Sequence, residues 1–215
     1  MDYALLRSAM VEEQLRARGI HDPGVLEAFN KVERHKFVLP ELKDSAYGDF
    51  PLSIGEGQTI SQPYIVALMT ECLEVGSSHA VLEIGTGSGY QAAILAERAL
   101  HVYSIERHEV LASRAEALLK ELGYGNISIM TGDGTLGWQE YAPFDRIIVT
   151  AAAPRVPLPL LEQLRNGGKL VMPLGGSFGQ VLTLAEKERD KITYRKICDC
   201  VFVPLVGKYG AKVNN

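Results

Sequence analysis

Apolar and polar positions along this chain follow two different periods. From residue 80 onward, short apolar runs trade places with stretches of helical spacing. Residues 80–84, 101–106 and 126–131 read as strands, and 91–100 and 109–122 as the helices between them. Residues 144–150 form another strand, with Ile147, Ile148 and Val149 in one unbroken apolar run. Residues 158–164 read as a short helix, and Gly167-Gly168 leads into a strand over 169–173. Strands that are apolar almost throughout, alternating with helices, predict a parallel sheet covered on both faces.

Both ends of the chain depart from that rhythm. Leu5, Leu6, Met10 and Leu15 make a rough helical stripe that stops at Gly19. Asp22-Pro23 reads as an N-cap followed by proline at the first helical position. Val25, Leu26, Phe29 and Val32 are the expected buried side of that second helix, and Pro40 and Pro51 break the chain after it. Residues 53–63 are polar and glycine-rich. They enter an amphipathic helix with Ile65, Val66, Leu68, Met69 and Leu73 on its apolar side. At the other end, 180–185, 192–195 and 199–205 read as strands joined by polar turns, so an antiparallel addition at one sheet edge is expected. The whole reads as one Rossmann-like α/β domain. Residues 1–52 are a helical N-terminal extension, 53–175 the ligand-binding core and 176–215 the C-terminal strands.

Composition narrows the classes without choosing among them. The 215 residues suffice for one such domain, and 47% hydrophobic with 22% charged residues is ordinary for a soluble protein. A net charge of -4 and no Lys/Arg run argue against nucleic acid as a partner. No apolar run approaches the ~18 residues of a membrane span, and the N-terminus lacks the basic and apolar regions of a secretory signal. Cys72, Cys198 and Cys200 cannot make a disulfide framework, so a reducing cytoplasm is expected. Cys198 and Cys200 are alternate residues of a strand without companion ligands. They read as ordinary thiols, and no metal is expected. The five histidines are scattered and receive no role.

The candidate chemistry sits at the strand ends. Glu83, Gly85, Gly87 and Gly89 occupy alternate positions between a strand and a helix. Such a turn lets a ligand approach bare backbone at the carboxyl end of a parallel sheet. The third glycine comes one residue too early for the dinucleotide fingerprint G-x-G-x-x-G, and Tyr90 stands where that pattern wants glycine. The next strand ends at Glu106, 21 residues beyond Gly85, where an acid would receive ribose hydroxyls. A third ends at Asp133, between Gly132 and Gly134, well placed for an adenine amino group. Singly, these are a tight turn, a solvated strand end and a common turn composition. Together and in chain order they predict a nucleoside-type ligand. The first turn has no Lys or Arg to meet a pyrophosphate. The fourth strand end, Thr150-Ala151-Ala152-Ala153-Pro154, is uncharged and supplies neither metal ligands nor a base. That favours an acceptor already ionised at neutral pH, such as a carboxylate with a pKa of about 4.

The E-x-G-x-G-x-G pattern resembles the first motif of the S-adenosylmethionine-dependent methyltransferases. Four further segments occur in order with it: Gly-Gln-Thr-Ile-Ser-Gln-Pro at 57–63, Gly-Asp-Gly at 132–134, Ala-Ala-Ala-Pro at 151–154 and Phe-Val-Pro-Leu at 202–205. Over roughly residues 5–207 the chain resembles the protein-L-isoaspartate O-methyltransferases of the bacterial or archaeal type. The resemblance implies the class I methyltransferase fold, with S-adenosylmethionine held by Glu83, Gly85, Thr86, Gly87, Ser88, Gly89, Glu106, Arg107, Asp133 and Gly134. It implies methyl transfer to the free α-carboxylate of L-isoaspartyl residues in age-damaged proteins and peptides. The ester then collapses to a succinimide, which begins repair. It places Ser61 at the acceptor and Thr59, Ile60, Val203, Pro204 and Leu205 along the peptide. Ser61 also sits where an ordinary helix N-cap would be, and 203–205 also reads as a buried edge strand interrupted by proline; both pairs of readings stand. Some relatives carry histidine where this chain has Tyr64, so no role is carried to that position. Two rival functions remain at this point: methylation of another acceptor, such as a small acid or RNA, and a module that holds the cofactor without turnover. The intact Thr-Ile-Ser segment argues against the second. A monomer is expected.

Overall fold

A computed structural model describes residues 1–176, 179–189 and 191–211. Helix α1 (Tyr3–Ala9) starts at Asp2, whose carboxylate accepts the N–H groups of Ala4 and Leu5. The chain then widens into π-helical turns over Met10–Leu15 and tightens again before Gly19. That change of pitch moves the buried stripe. Met10, Val11 and Leu15 are inside, whereas Leu5, expected among them, is 67% exposed. Helix α2 (Pro23–Lys31) has the expected cap, with Asp22 accepting from the Val25 N–H. Its expected stripe of Val25, Leu26, Phe29 and Val32 is buried.

Residues 53–63 contain an element that sequence patterning missed. Strands β1 (Leu52–Gly55) and β2 (Gln58–Ile60) form a small antiparallel hairpin apart from the main sheet. Three consecutive left-handed residues, Gly55, Glu56 and Gly57, make its turn. Strands of four and three residues, with only Leu52, Ile54 and Ile60 buried between them, are too short for their alternation to be read as a hairpin. Helix α3 (Pro63–Leu73) follows, with Val66, Met69 and Leu73 buried and Ile65 and Leu68 only partly so.

The main sheet has seven strands. They are β3 (Ala80–Ile84), β4 (His101–Glu106), β5 (Ile127–Thr131), β6 (Phe144–Val149), β7 (Leu164–Gly176), β8 (Gly179–Glu188) and β9 (Lys191–Cys200), in the spatial order β5-β4-β3-β6-β7-β8-β9. The first five run parallel, and β8 and β9 complete the sheet in antiparallel fashion. Helices α4 (Tyr90–Ala96), α5 (Glu109–Glu121) and α6 (Leu158–Gln163) are the crossovers. Neighbouring strand residues feed two separate cores. Val81, Ile148 and Val171 join the core that holds α1 to α4, and Leu82, Ile147 and Met172 join the one beside α6. This is the two-faced burial that unbroken apolar strands require.

The C-terminal edge differs from the expected three short strands. Residues 192–195 and the start of 199–205 belong to one ten-residue strand, β9, which ends at Cys200. Beyond it the chain leaves the sheet edge, with Val201 93% exposed. Pro204 has no N–H to give to a ladder. The segment instead crosses the carboxyl end of β6, where Ala152 donates to the Val203 carbonyl at 2.8 Å and Leu205 donates to the Ala152 carbonyl at 2.7 Å. Helix α4 is also shorter than 91–100, ending before Glu97. Among the described residues, no helix is long and apolar enough to cross a membrane.

Candidate active site

The chain runs outward through β3, β4 and β5 and then returns to lay β6 on the other side of β3. The crevice at the carboxyl end of β3 is therefore a topological switch point, where open α/β sheets bind ligands. Gly85 leaves β3 there with φ +96, and a Cβ on it would stand 2.3 Å from Thr150 Oγ1. Thr150 needs that closeness, because its hydroxyl donates to the carbonyls of Ile84 and Gly85. Gly89 has a different reason to be glycine. Its φ is +85 and its added Cβ would press on Ala115 and Leu119 of α5 at 3.3 and 3.2 Å. It lets α4 start close to α5 and does not line the cavity.

Glu106, at the end of β4, lines the crevice and is preset by the backbone. Its Oε2 accepts the Gly87 N–H and its Oε1 accepts the His108 N–H, each at 2.9 Å. Each oxygen keeps a lone pair free for a hydroxyl of a bound ligand. Glu83 lies below the floor. It is fully buried and accepts from Ser104 Oγ at 2.5 Å, and Ser104 in turn meets Thr86 Oγ1 at 2.6 Å. Burial pushes the Glu83 carboxyl up to about 8, with the Ser104 hydrogen bond opposing and the Glu106 charge adding to the rise. Asp133 also stands back from the cavity. Its Oδ1 accepts from the Thr135 N–H and hydroxyl and its Oδ2 accepts from the Lys208 N–H. Desolvation pulls its pKa upward, but these hydrogen bonds and the Arg107 charge hold it below the usual carboxylate range. It caps the turn after β5 and ties down the C-terminal tail, while Gly134 beside it does line the cavity.

The opposite wall comes from the hairpin and α3. Thr59, Ile60 and Ser61 line the crevice together with Thr86, Gly87, Ser88 and Arg107. Ser61 is not the cap of α3. The cap position belongs to Gln62, whose side chain makes no capping bond. The Ser61 carbonyl accepts from Arg34 Nη2 at 2.7 Å. Val203, Pro204 and Leu205 close the crevice from the fourth side. A second groove adjoins it, bordered by Pro51, Gln62, Asp199 and Phe202. Thr59, Ser61, Thr150 and Val203 line both spaces, so Ser61 stands at the junction between them.

The crevice thus brings together residues of six distant segments, with Glu83, Gly89 and Asp133 just outside it. Several wall residues were not anticipated. Tyr90 and Gln91 open α4, Thr150 directly follows β6, and His108 lies two residues beyond Glu106. Proximity to a strand end is the signal that could have found Tyr90, Thr150 and His108. Tyr64 faces elsewhere, with the Arg18 guanidinium 3.7 Å above its ring.

The model of the protein-L-isoaspartate(D-aspartate) O-methyltransferase family matches residues 6–210. This chain belongs to that family. A protein-L-isoaspartate O-methyltransferase of Syntrophobacter fumaroxidans is 54% identical over 98% of both chains. One from Petrotoga mobilis is also 54% identical, over 98% of this chain and all of its own length. A solved protein-L-isoaspartate O-methyltransferase superposes with a TM-score of 0.86 at 28% identity, covering 95% of this chain and 67% of that one. A Plasmodium falciparum homologue, solved in complex with S-adenosyl-L-homocysteine, gives 0.79 at 26% identity over 93% and 98% of the two chains. The family relationship extends over the hairpin, the glycine turn and the 203–205 crossing.

Proposed function

We propose that this chain transfers the methyl group of S-adenosylmethionine to the free α-carboxylate of L-isoaspartyl residues, with Ser61 meeting that carboxylate. The carrying observation is the place of Ser61, which lines both the crevice and the groove that adjoins it. The crevice suits the nucleoside half of the cofactor. The Gly85 turn leaves no side chain between backbone and ligand, and Glu106 offers two preset acceptors to the ribose. Gly134 and Arg107 form the next part of the wall. When bound, the cofactor supplies a methyl group on a sulfonium, an electrophile that a carboxylate attacks unaided. The chain's residues therefore bind, orient and exclude water. Ser61 donates its hydroxyl to one carboxylate oxygen and leaves the other free to attack. Thr59, Ile60 and 203–205 hold the flanking peptide, and Val203 reaches into the groove as well as the crevice. Glu83 and Gly89 support the turn from behind, and Asp133 supports the wall at Gly134. Three free cysteines fit a reducing cytoplasm.

The product itself supplies the test. In an α-carboxyl methyl ester of isoaspartate, the next backbone nitrogen attacks the ester carbonyl, the succinimide closes and methanol leaves. With radiolabelled cofactor and an isoaspartyl peptide, the label should enter the peptide and then depart as volatile methanol. Label that stays on the peptide would overturn the carboxylate as acceptor.

A further inference from the structure

We propose that Arg34 is a positioning residue for methyl transfer, clamping the backbone of Ser61 so that the serine hydroxyl points at the acceptor carboxylate. The inference rests on the reading of Ser61 given above. Arg34 is fully buried, and no carboxylate forms an ion pair with it among the described residues. Asp49 is the carboxylate whose charge reaches it, and Asp49 is held by Arg18 at 2.5 Å. Nε of Arg34 donates to the Ala46 carbonyl at 2.8 Å, and Nη2 donates to the Ser61 carbonyl at 2.7 Å. The guanidinium carbon lies 4.8 Å from the ring centroid of Tyr90, which walls the crevice.

A buried cation without a paired anion is a costly way to fill a core, and a methionine would fill it more cheaply. What arginine adds is a rigid fork of donors that joins two separate carbonyls. Here the fork links the turn at Ala46 to the last residue before α3 begins its approach. Among the described residues, Arg34 is the one hydrogen-bond donor to the Ser61 carbonyl, and the Ser61 hydroxyl has no partner of its own. The backbone that Arg34 holds therefore fixes where the Ser61 Cβ stands, and with it the short arc from which the hydroxyl can meet an acceptor. Burial draws Arg34 down to about 10, which leaves it charged at neutral pH.

The test is a double-mutant cycle on kcat with an isoaspartyl peptide, with cofactor affinity measured by calorimetry as the check on folding. Arg34→Lys keeps the charge but cannot reach both carbonyls. Deleting the Ser61 hydroxyl sets the ceiling on what Arg34 contributes through it, so Arg34→Lys should lower kcat by up to about tenfold, no more than Ser61→Ala does, with cofactor affinity unchanged. Arg34→Gln should lose at least as much. Adding Ser61→Ala to either variant should take kcat to the Ser61→Ala value and no lower, because Arg34 acts through that hydroxyl. Losses that multiply, or wild-type kcat in Arg34→Lys, would overturn the proposal. If Arg34→Gln fails to bind cofactor and so to fold, the lysine cycle decides alone. Full turnover by Ser61→Ala would remove Ser61 from the acceptor and this inference with it. No transfer by the wild type would instead refute the substrate.

Discussion

The two walls of the crevice are built in opposite ways. The wall made by the β3–α4 turn and Glu106 comes from two adjacent strand ends, and its parts are local in sequence. Gly85 and Gly87 lie within one turn, and Glu106 is aimed by the N–H groups of Gly87 and His108. The acceptor wall comes from the hairpin before α3, a buried arginine from the N-terminal extension and the crossing at 203–205. Its parts are far apart in sequence and held by carbonyl hydrogen bonds. On the proposed reading the first wall carries most of the cofactor recognition, and the second, which lines the same crevice, adds the choice of acceptor. The N-terminal and C-terminal additions to the core supply that second wall.

If that division is right, variants should separate into cofactor defects and turnover defects. The largest effect belongs to the first wall. Gly85→Ala puts a Cβ at φ +96 and against Thr150, and the backbone strain alone costs about 1–3 kcal/mol before the contact is counted. Cofactor binding by calorimetry should fall at least tenfold and beyond easy detection, with turnover lost as a consequence. Retained affinity would show that this turn does not hold the ligand.

Glu106→Ala comes next. Losing charge-assisted hydrogen bonds of about 1.5–3 kcal/mol corresponds to a tenfold to hundredfold drop in cofactor affinity. In a folded variant, kcat at saturating cofactor should change far less than the dissociation constant. Unchanged affinity would take Glu106 off the ribose.

Ser61→Ala should show the reverse pattern, with kcat down about tenfold, near the lower end of the same hydrogen-bond range because solvent reaches the groove. Cofactor affinity and melting temperature should stay at wild-type values. The absence of a Ser61 capping bond sharpens this expectation, since the stability loss of about 1 kcal/mol for a lost cap does not apply. A lowered melting temperature with full activity per folded molecule would make Ser61 structural.

An effect of another kind, on stability and its pH dependence and not on binding or turnover, falls behind the first wall. The Glu83 carboxyl rises from 4.5 to about 8 in the fold, so between these values the native state binds more protons than the unfolded one. Stability from this group is complete below the unfolded value and is lost as pH rises toward 8. Half-buried His35, His79 and His101 are shifted downward by desolvation and give the opposite slope near neutrality. The difference between wild type and Glu83→Gln isolates the carboxyl. Denaturant melts should show the variant gaining on the wild type from pH 5 to pH 8. A difference that does not change with pH would mean that Glu83 is ionised inside the fold.

The two walls were also unequally legible. Apolar runs such as Ile147-Ile148-Val149 announce a parallel strand, and alternate glycines announce the turn after it. The sheet and first wall were therefore readable from local pattern. The hairpin at Leu52–Ile60 was not, because its two strands together hold seven residues and its turn is closed by left-handed Gly55, Glu56 and Gly57. The role of Arg34 in the fold was invisible for a related reason. Its partners are backbone carbonyls, which any residue type provides, so no sequence pattern marks them. Residues 199–205 looked like a strand by composition, and only Pro204 hinted that they would leave the sheet. Asp133 ends a strand as the pattern requires, but the hydrogen bonds its oxygens accept from Thr135 and Lys208 carry no mark in the sequence.

The central claim is that the second wall selects the isoaspartyl carboxylate by geometry. Isoaspartyl and aspartyl residues carry carboxylates of similar basicity, so chemistry alone does not separate them. Orientation can supply up to about 7–11 kcal/mol of the barrier, and ~1 Å of misplacement costs on the order of 100-fold. The direct measurement is kcat/KM for one peptide made in both forms. A preference of at least about 100-fold for the isoaspartyl form is the predicted result. Equal rates on the two peptides, or transfer to neither, would contradict it.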